Sequence, residues 1–539
     1  MKAEPTPSEG SAGPIRLPSW AYTVTTVASL LIGITAVVRG TSAIVVAQDS
    51  DLTNFFFKSA TYILHGDPWH IYAARGSGLT STYPNFNPPL SIFLMAPLLS
   101  LARALHAVSY GAQITVVSLP FVLLVPVLAY LTVHILRRLQ PSIPETQQFL
   151  AFALIALSPL TWQSLTPWYH LEQPLMLCLL LCAVAALQAR HEGLAGLLAG
   201  LAFLTRTTAL MPLVALGVLL LAQREWRGLL RFGGVAAVVG GIGLLPFFLA
   251  YPKETIYSLV TWRGSSQIGG NSIWSIFAYS GTANPTLHLV NAAAERLDMY
   301  SVVLFIILIA FLAARRGVSA YATDAWAVIA IACLAVPMLT KTVWPYYYLE
   351  PFVPLLIWEF ATMHNRRSGV WRWPVLSIGF LCVAATLSQY IGLRSVGYID
   401  RVSVGVVEFL AMLAFVFCIW MRLGARKPDA GTGSQEMVRR KWRLGQGHMF
   451  ETAAPSSPVA PPQPTPAGNV YVPPTVSPAR PAPPVQPTPA SPPPQPQPEH
   501  PPVPPLWPAD PRERQSSSSS GGEGVWPNLW ANDQRPPRR

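Results

Sequence analysis

From Trp20 to Arg422 the chain is a succession of apolar stretches nearly free of Asp, Glu, Lys and Arg. A helix rises about 1.5 Å per residue, so about 20 such residues cross about 30 Å of hydrocarbon. A pattern repeated this often excludes a single soluble core. The charged share is 12%, about half the roughly 25% of soluble domains. The fold class that follows is an all-α polytopic membrane protein.

The formal net charge is +12, but it does not imply a nucleic-acid partner, because the basic residues fall in clusters between apolar stretches, where they orient helices. The clusters are Arg137 with Arg138, Arg190, Arg224 to Arg231, Arg315 with Arg316, Arg366 to Arg372, and Arg422 to Lys427. They stand at every second boundary and mark expected cytoplasmic ends. With the N-terminus inside, the spans read approximately as 20–39, 111–136, 148–166, 172–189, 193–204, 208–222, 231–250, 299–314, 323–340, 346–362, 374–392 and 403–423. These are about twelve segments, with both termini cytoplasmic. The start of the chain imitates a signal peptide weakly; the apolar run from Trp20 to Val38 is too long for an h-region and Arg39 interrupts any cleavage site. The five cysteines all lie inside apolar runs, where thiols pack as small hydrophobes and lack the spacing of a disulfide or zinc framework.

Two places break the pattern. Pro88 to Ala102 is apolar but short, and it reads as a partly inserted helix on the outer side. The pair 193–204 and 208–222 is short too, with TRTT (Thr205 to Thr208) at its tip. A hairpin there holds Arg206 away from the cytoplasmic surface, where it needs an anionic partner or water. The chain therefore divides into a short N-terminal segment (1–19), a transmembrane domain (20–426) with a first outer loop (40–87) and a large outer loop (251–298), and a tail (427–539). The tail holds 29 of the 54 prolines, cannot bury a core, and is expected to be disordered, as a spacer or as a ligand for an SH3-like or WW-like protein partner. Val438 to Leu444, VRRKWRL, is expected to rest on anionic membrane lipid.

The first outer loop asks the sharpest question. It carries QDSDLTNFFFKSATYILHG, Gln48 to Gly66, with Asp49 and Asp51 at the mouth of a membrane helix. Charge there is costly unless solvated, paired or useful. Asp51 is placed as an N-cap, with Leu52, Phe55, Phe56, Tyr62 and Ile63 forming the apolar stripe of a helix lying along the interface. HGDPWHIY and YPNFNPPL follow, bringing Trp69, Tyr83 and Asn87.

This order, DSDLTNFFFKSATYILHGDPWHIY and then YPNFNPPLSIFLMAPL, resembles the first-loop pattern of GT-C-class glycosyltransferases, in particular the bacterial polyprenol-phosphate-mannose-dependent mannosyltransferases. LEQPLML (Leu171 to Leu177), GLAFLTRTTALMPL (Gly200 to Leu213) and GGNSIWSIF (Gly269 to Phe277) resemble later motifs of that family in the same order. One departure stands out: the family often carries histidine before a late outer-loop helix, where this chain has KTVWPYYYLEPF with Tyr346 and Tyr347.

The resemblance implies a GT-C-like arrangement and transfer of a sugar, mannose by family habit, from a polyprenyl phosphate to a hydroxyl on a glycolipid, polysaccharide or protein at the outer side of a bacterial-type plasma membrane, with inversion. The hydroxyl proton needs a base, a role worth about 10² to 10⁴ in rate; it falls to Asp51, with Asp49 as neighbour or alternative. The leaving phosphate needs cations and donors: Arg263, Lys341 and Arg206, each of which also has a structural reading as a loop charge, an interfacial anchor or a snorkelling cation. Substrate contacts are expected from Trp69, Tyr83, Asn87, His170, Glu172, Gln173, Asn271, Ser272, Trp344, Tyr346 and Tyr347. Two carboxylates also suit Mg²⁺ or Mn²⁺, but a lipid monophosphate donor lacks the diphosphate that makes a metal necessary, so no cofactor is expected. The competing class is a transporter or flippase of lipid-linked sugars, which also uses polar residues between broken helices.

Overall fold

The computed structural model describes residues 18, 20–42, 52–72, 85–166, 169–261, 272–277, 285–363, 373–392 and 398–424. The chain separates into Met1–Asp429 and Ala430–Arg539, and every described residue lies in the first unit. The proline-rich tail therefore lies outside the described residues.

No β-strand occurs among the described residues. In chain order the helices are α1 (Trp20–Ser42), α2 (Lys58–Leu64), α3 (Pro89–Ala104), α4 (Tyr110–Val122), α5 (Leu124–Leu139), α6 (Glu145–Ala156), α7 (Pro159–Leu165), α8 (Glu172–Gln188), α9 (Glu192–Thr205), α10 (Leu210–Ala222), α11 (Trp226–Ala250), α12 (Pro252–Ile256), α13 (Pro285–Arg315), α14 (Ala325–Leu339), α15 (Leu349–Thr362), α16 (Val375–Gly392) and α17 (Tyr398–Gly424). Six segments among the described residues are long and apolar enough to cross a membrane, including Trp20–Gly40, Tyr110–Leu139 and Trp226–Ala250. Others, such as Glu192–Thr205 and Ala325–Leu339, are apolar but shorter. The protein is thus a multi-pass helical membrane protein, although length alone does not deliver the twelve crossings read from the sequence.

The shorter helices have a physical reason to be short. Ala325 to Met338 of α14 and Leu349 to Phe360 of α15 are buried throughout, and a helix apolar on every face belongs inside a bundle. Such helices meet protein and not lipid along their length. By contrast α11 leaves Leu230, Val238, Ile242, Leu245 and Leu249 exposed, as a lipid-facing helix does.

One expectation changes. The loop-one helix does not lie on the interface by its stripe: Leu52, Phe55 and Phe56 are buried with Ile92, Met95, Phe121 and Phe247, so that face packs on protein. The short apolar helix α3 runs along this loop, with Tyr72 Oη donating to the Asn87 carbonyl at 2.9 Å and Arg103 Nη2 donating to Thr61 Oγ1 at 3.1 Å. Within 251–298, the stretch expected as the large outer loop, α12, Tyr257–Thr261 and the start of α13 at Pro285 are helical.

Among the described residues, arginines of the basic clusters stand at helix ends that meet one another: Arg190 pairs with Glu225, Gln223 donates to the Val318 carbonyl close to Arg316, and Arg316 donates to the Trp420 carbonyl close to Arg422. There Arg422 Nη1 donates to Glu359 Oε1 at 2.7 Å, and Glu359 also accepts from the Leu376 and Ser377 amides at 3.0 and 2.7 Å. One carboxylate from α15 thereby caps the start of α16 and holds the end of α17. Trp358 Nε1 donates to Asp324 and Trp326 Nε1 to Gln188, at 2.9 and 3.1 Å.

Candidate active site

At the opposite end, α9 stops at Thr205, and Arg206 leaves the helix with extended φ −157° and ψ 130°. The turn Thr207–Ala209 then leads into α10. This is the TRTT hairpin expected from the sequence. A cation suits the C-terminal end of α9, where the peptide dipoles leave partial negative charge. Acids suit the first turns of α8 and α15, and Glu172 and Glu350 occupy them. Three helix ends therefore bring two carboxylates to one guanidinium.

The contacts are close and dry. Arg206 Nη1 donates to Glu172 Oε1 at 2.5 Å and Nε donates to Glu350 Oε1 at 2.9 Å. Thr208 Oγ1 donates to the same Glu350 oxygen at 2.9 Å. His170 Nδ1 lies 2.8 Å from Glu172 Oε1 and 3.1 Å from Arg206 Nη1. Since Arg only donates, the arrangement that satisfies both contacts without protonating Glu172 has Nδ1–H and Nη1–H converging on Oε1. Gln173 Nε2 donates to the Tyr346 carbonyl at 2.7 Å and to Glu350 Oε1 at 3.1 Å. The Tyr346 ring lies 3.9 Å from the His170 ring, and the Arg206 guanidinium lies 5.3 and 5.8 Å from the rings of Tyr346 and Tyr347. Arg206 is 6% exposed and Glu172, Gln173 and Glu350 are 2% or less, so these charges interact with little screening.

A second group lies on the segment leading into the tyrosines. Lys341 is buried, its amide donates to Asp298 Oδ2 at 3.2 Å, and its carbonyl accepts from Ser272 Oγ at 3.0 Å. Trp274 Nε1 donates to the Leu339 carbonyl at 2.6 Å, taking an acceptor freed at the end of α14. Gly405 of α17 lies against the Ser272 backbone so closely that a Cβ there would collide with the Ser272 carbonyl. Farther along, Tyr348 Oη donates to the buried Glu408 Oε1 at 2.6 Å.

Of the residues expected to bind substrate, His170, Glu172, Gln173, Arg206, Tyr346 and Tyr347 therefore meet in one cluster. Ser272 and Lys341 form the second group, and the partly buried Trp344 begins the 3-10 turn Pro345–Tyr348 between them. Trp69 and Asn87 stand with loop one instead: Trp69 packs edge-on against Phe247 at 5.7 Å, and Asn87 supports the turn before α3. Burial there lowers the Lys58 ammonium from its usual value and raises the Tyr72 hydroxyl. Asp49, Asp51, Tyr83, Arg263 and Asn271 lie outside the described residues. Sequence reasoning missed Glu350, Thr208, Asp298 and Glu408. No group of three or more His, Cys, Asp or Glu able to hold a metal occurs among the described residues.

Residues 85–340 match the family model of Glycosyltransferase family 87. The match covers a little under half of the chain and includes His170, Glu172, Gln173, Arg206, Ser272 and Asp298. Over that stretch the chain is similar to a family of membrane glycosyltransferases, and the match indicates a transferase of glycosyl groups. No curated protein matches the chain.

Proposed function

We propose that this protein moves a sugar, mannose by the first-loop resemblance, from a polyprenyl phosphate to an acceptor hydroxyl at the outer side of a plasma membrane. The observation that carries the reading is the match to Glycosyltransferase family 87 over residues 85–340, the stretch that supplies most of the buried polar cluster. In the reaction the acceptor oxygen attacks the anomeric carbon from the face opposite the phosphate. The bond from that carbon to the phosphate oxygen breaks, its electron pair stays with the phosphate, and the configuration inverts.

Asp51 takes the hydroxyl proton, with Asp49 beside it; a carboxylate near water is ionised at neutral pH. Lys341 and Arg263 stabilise the charge that grows on the phosphate. Placing the donor at the loop-one end of the bundle puts the chemistry away from the arginine-rich end, which the positive-inside rule assigns to the cytoplasm.

The test uses the full chain in lipid nanodiscs with synthetic polyprenyl-phosphate sugars and mass analysis of the product. Wild type should consume the mannosyl donor, and Asp51→Asn should be slower by about 10² to 10⁴. Equal turnover by Asp51→Asn removes the base assignment. A labelled lipid-linked sugar that changes leaflet while no donor is consumed replaces the transferase with a transporter.

A further inference from the structure

Glu172 Oε1 receives the hydrogen bonds from Arg206 and His170, while Glu172 Oε2 is buried with no partner among the described residues. Gln173 presents the same situation. Its Nε2 is fixed by two acceptors, the Tyr346 carbonyl and Glu350 Oε1, and a flipped amide would set oxygen against oxygen at both contacts. Its Oε1 therefore faces the other way, again buried and without a partner among the described residues. Two neighbouring residues on the first turn of α8 thus hold acceptor oxygens that only a hydrogen-bond donor can satisfy.

That chemistry decides between ligands. A lipid phosphate brings acceptor oxygens and negative charge, and it would meet two acceptors in a cluster where two carboxylates already outnumber one guanidinium. Leaving such a buried pair facing an anion is costly. Sugar hydroxyls bring neutral donors, and the rings of Tyr346 and Tyr347 stand beside the same cluster as apolar faces. We infer that Glu172 Oε2 and Gln173 Oε1 form a subsite for sugar hydroxyls, and that Arg206 is a positioning residue which aims the carboxylates and does not bind the phosphate. This deepens the glycosyltransferase reading and rests on it for the identity of the ligand.

Glu172→Gln is the informative variant, because Arg206 keeps Glu350 as its counter-ion while an amide N–H replaces the acceptor Oε2. The protein in nanodiscs is assayed with polyprenyl-phosphate mannose and its mono-deoxy analogues as donors. A separate arm uses octyl mannoside and its mono-deoxy analogues as acceptors. Wild type should discriminate against one deoxy analogue by about 10- to 100-fold in kcat/KM. Glu172→Gln should bring that preference to within about twofold, in the donor arm or the acceptor arm according to which sugar the subsite holds. Arg206→Lys should restore part of the discrimination that Arg206→Met loses. Inhibition by sugar-free polyprenyl phosphate should be unchanged in all variants.

An equal loss on every analogue overturns the subsite, and weaker inhibition of Arg206→Met by polyprenyl phosphate assigns the cluster to the phosphate. If wild type consumes no donor, the glycosyltransferase reading fails by itself. The subsite then stands or falls on thermal protection by methyl mannoside, expected in wild type and lost in Glu172→Gln; protection in neither, or in both, removes it.

Discussion

The two ends of the bundle use the same residue types in opposite ways. At the arginine-rich end Glu359 is buried, but its partner Arg422 is 47% exposed and its other partners are the amides of a helix start. Its acceptors are satisfied, and the cation that balances its charge reaches solvent. At the other end Arg206, Glu172 and Glu350 are all at most 7% exposed, and Glu172 Oε2 has no partner among the described residues. Buried charge of that kind is weak as a stabiliser and is retained elsewhere for register or function. One end therefore holds helices together, and the other keeps polar groups without full partners.

The largest test removes the central cation. Arg206→Met strands two buried carboxylates, and breaking a buried pair costs about 3–5 kcal/mol. Thermal unfolding in nanodiscs should show a loss of that size, and adding Glu172→Gln and Glu350→Gln should recover most of it. A loss near zero would mean that the cluster is hydrated and that the contrast between the ends is false.

How much of this was legible varies with distance along the chain. The TRTT hairpin and the HLEQ segment stand out because polar residues interrupt apolar runs, and the structure joins them through Arg206. Glu350 was visible in YYYLEPF, but its meaning depends on a partner 144 positions away, which no local pattern encodes. Glu408 carries a readable signal: it is a lone acid inside the apolar run Val402–Leu423, and such residues point to function by default. The loop-one stripe has a helical period, but periodicity locates an apolar face and does not say whether lipid or protein covers it.

Next in size is Gly405→Ala, which pushes a methyl group into the Ser272 carbonyl. Backbone cannot yield as a side-chain tip does, so a cost of about 1–3 kcal/mol is expected. Because Ser272 holds the Lys341 carbonyl, transfer activity should fall with stability. Full activity with reduced stability would detach the Ser272 group from the chemistry.

At the arginine-rich end, Glu359→Ala removes acceptors from the Leu376 and Ser377 amides and from Arg422. Losing hydrogen bonds to a charged group costs about 1–3 kcal/mol, and unfolding should show it. The measurement that sharpens the contrast is KM for donor and acceptor, expected to match wild type. A changed KM would connect the two ends through α15.

The smallest effect belongs to Arg190→Gln, and it isolates burial as the cause of the contrast. Arg190 resembles Arg206 in its inventory: it pairs with a glutamate, Glu225, at 3.8 Å, and its guanidinium lies over a tyrosine ring, Tyr321, at 3.2 Å. It differs in that both charged side chains are 42% exposed. Water then screens the pair and solvates Glu225 when the cation is lost, so the ion pair is worth at most about 1 kcal/mol and the ring contact about 0.5–1 kcal/mol. Unfolding should show a loss within that range that shrinks further in high salt, whereas the Arg206→Met loss should be nearly insensitive to salt. Equal losses at the two arginines would show that partner count and not burial sets the cost, and the distinction between a holding end and a working end would have to rest on something other than charge.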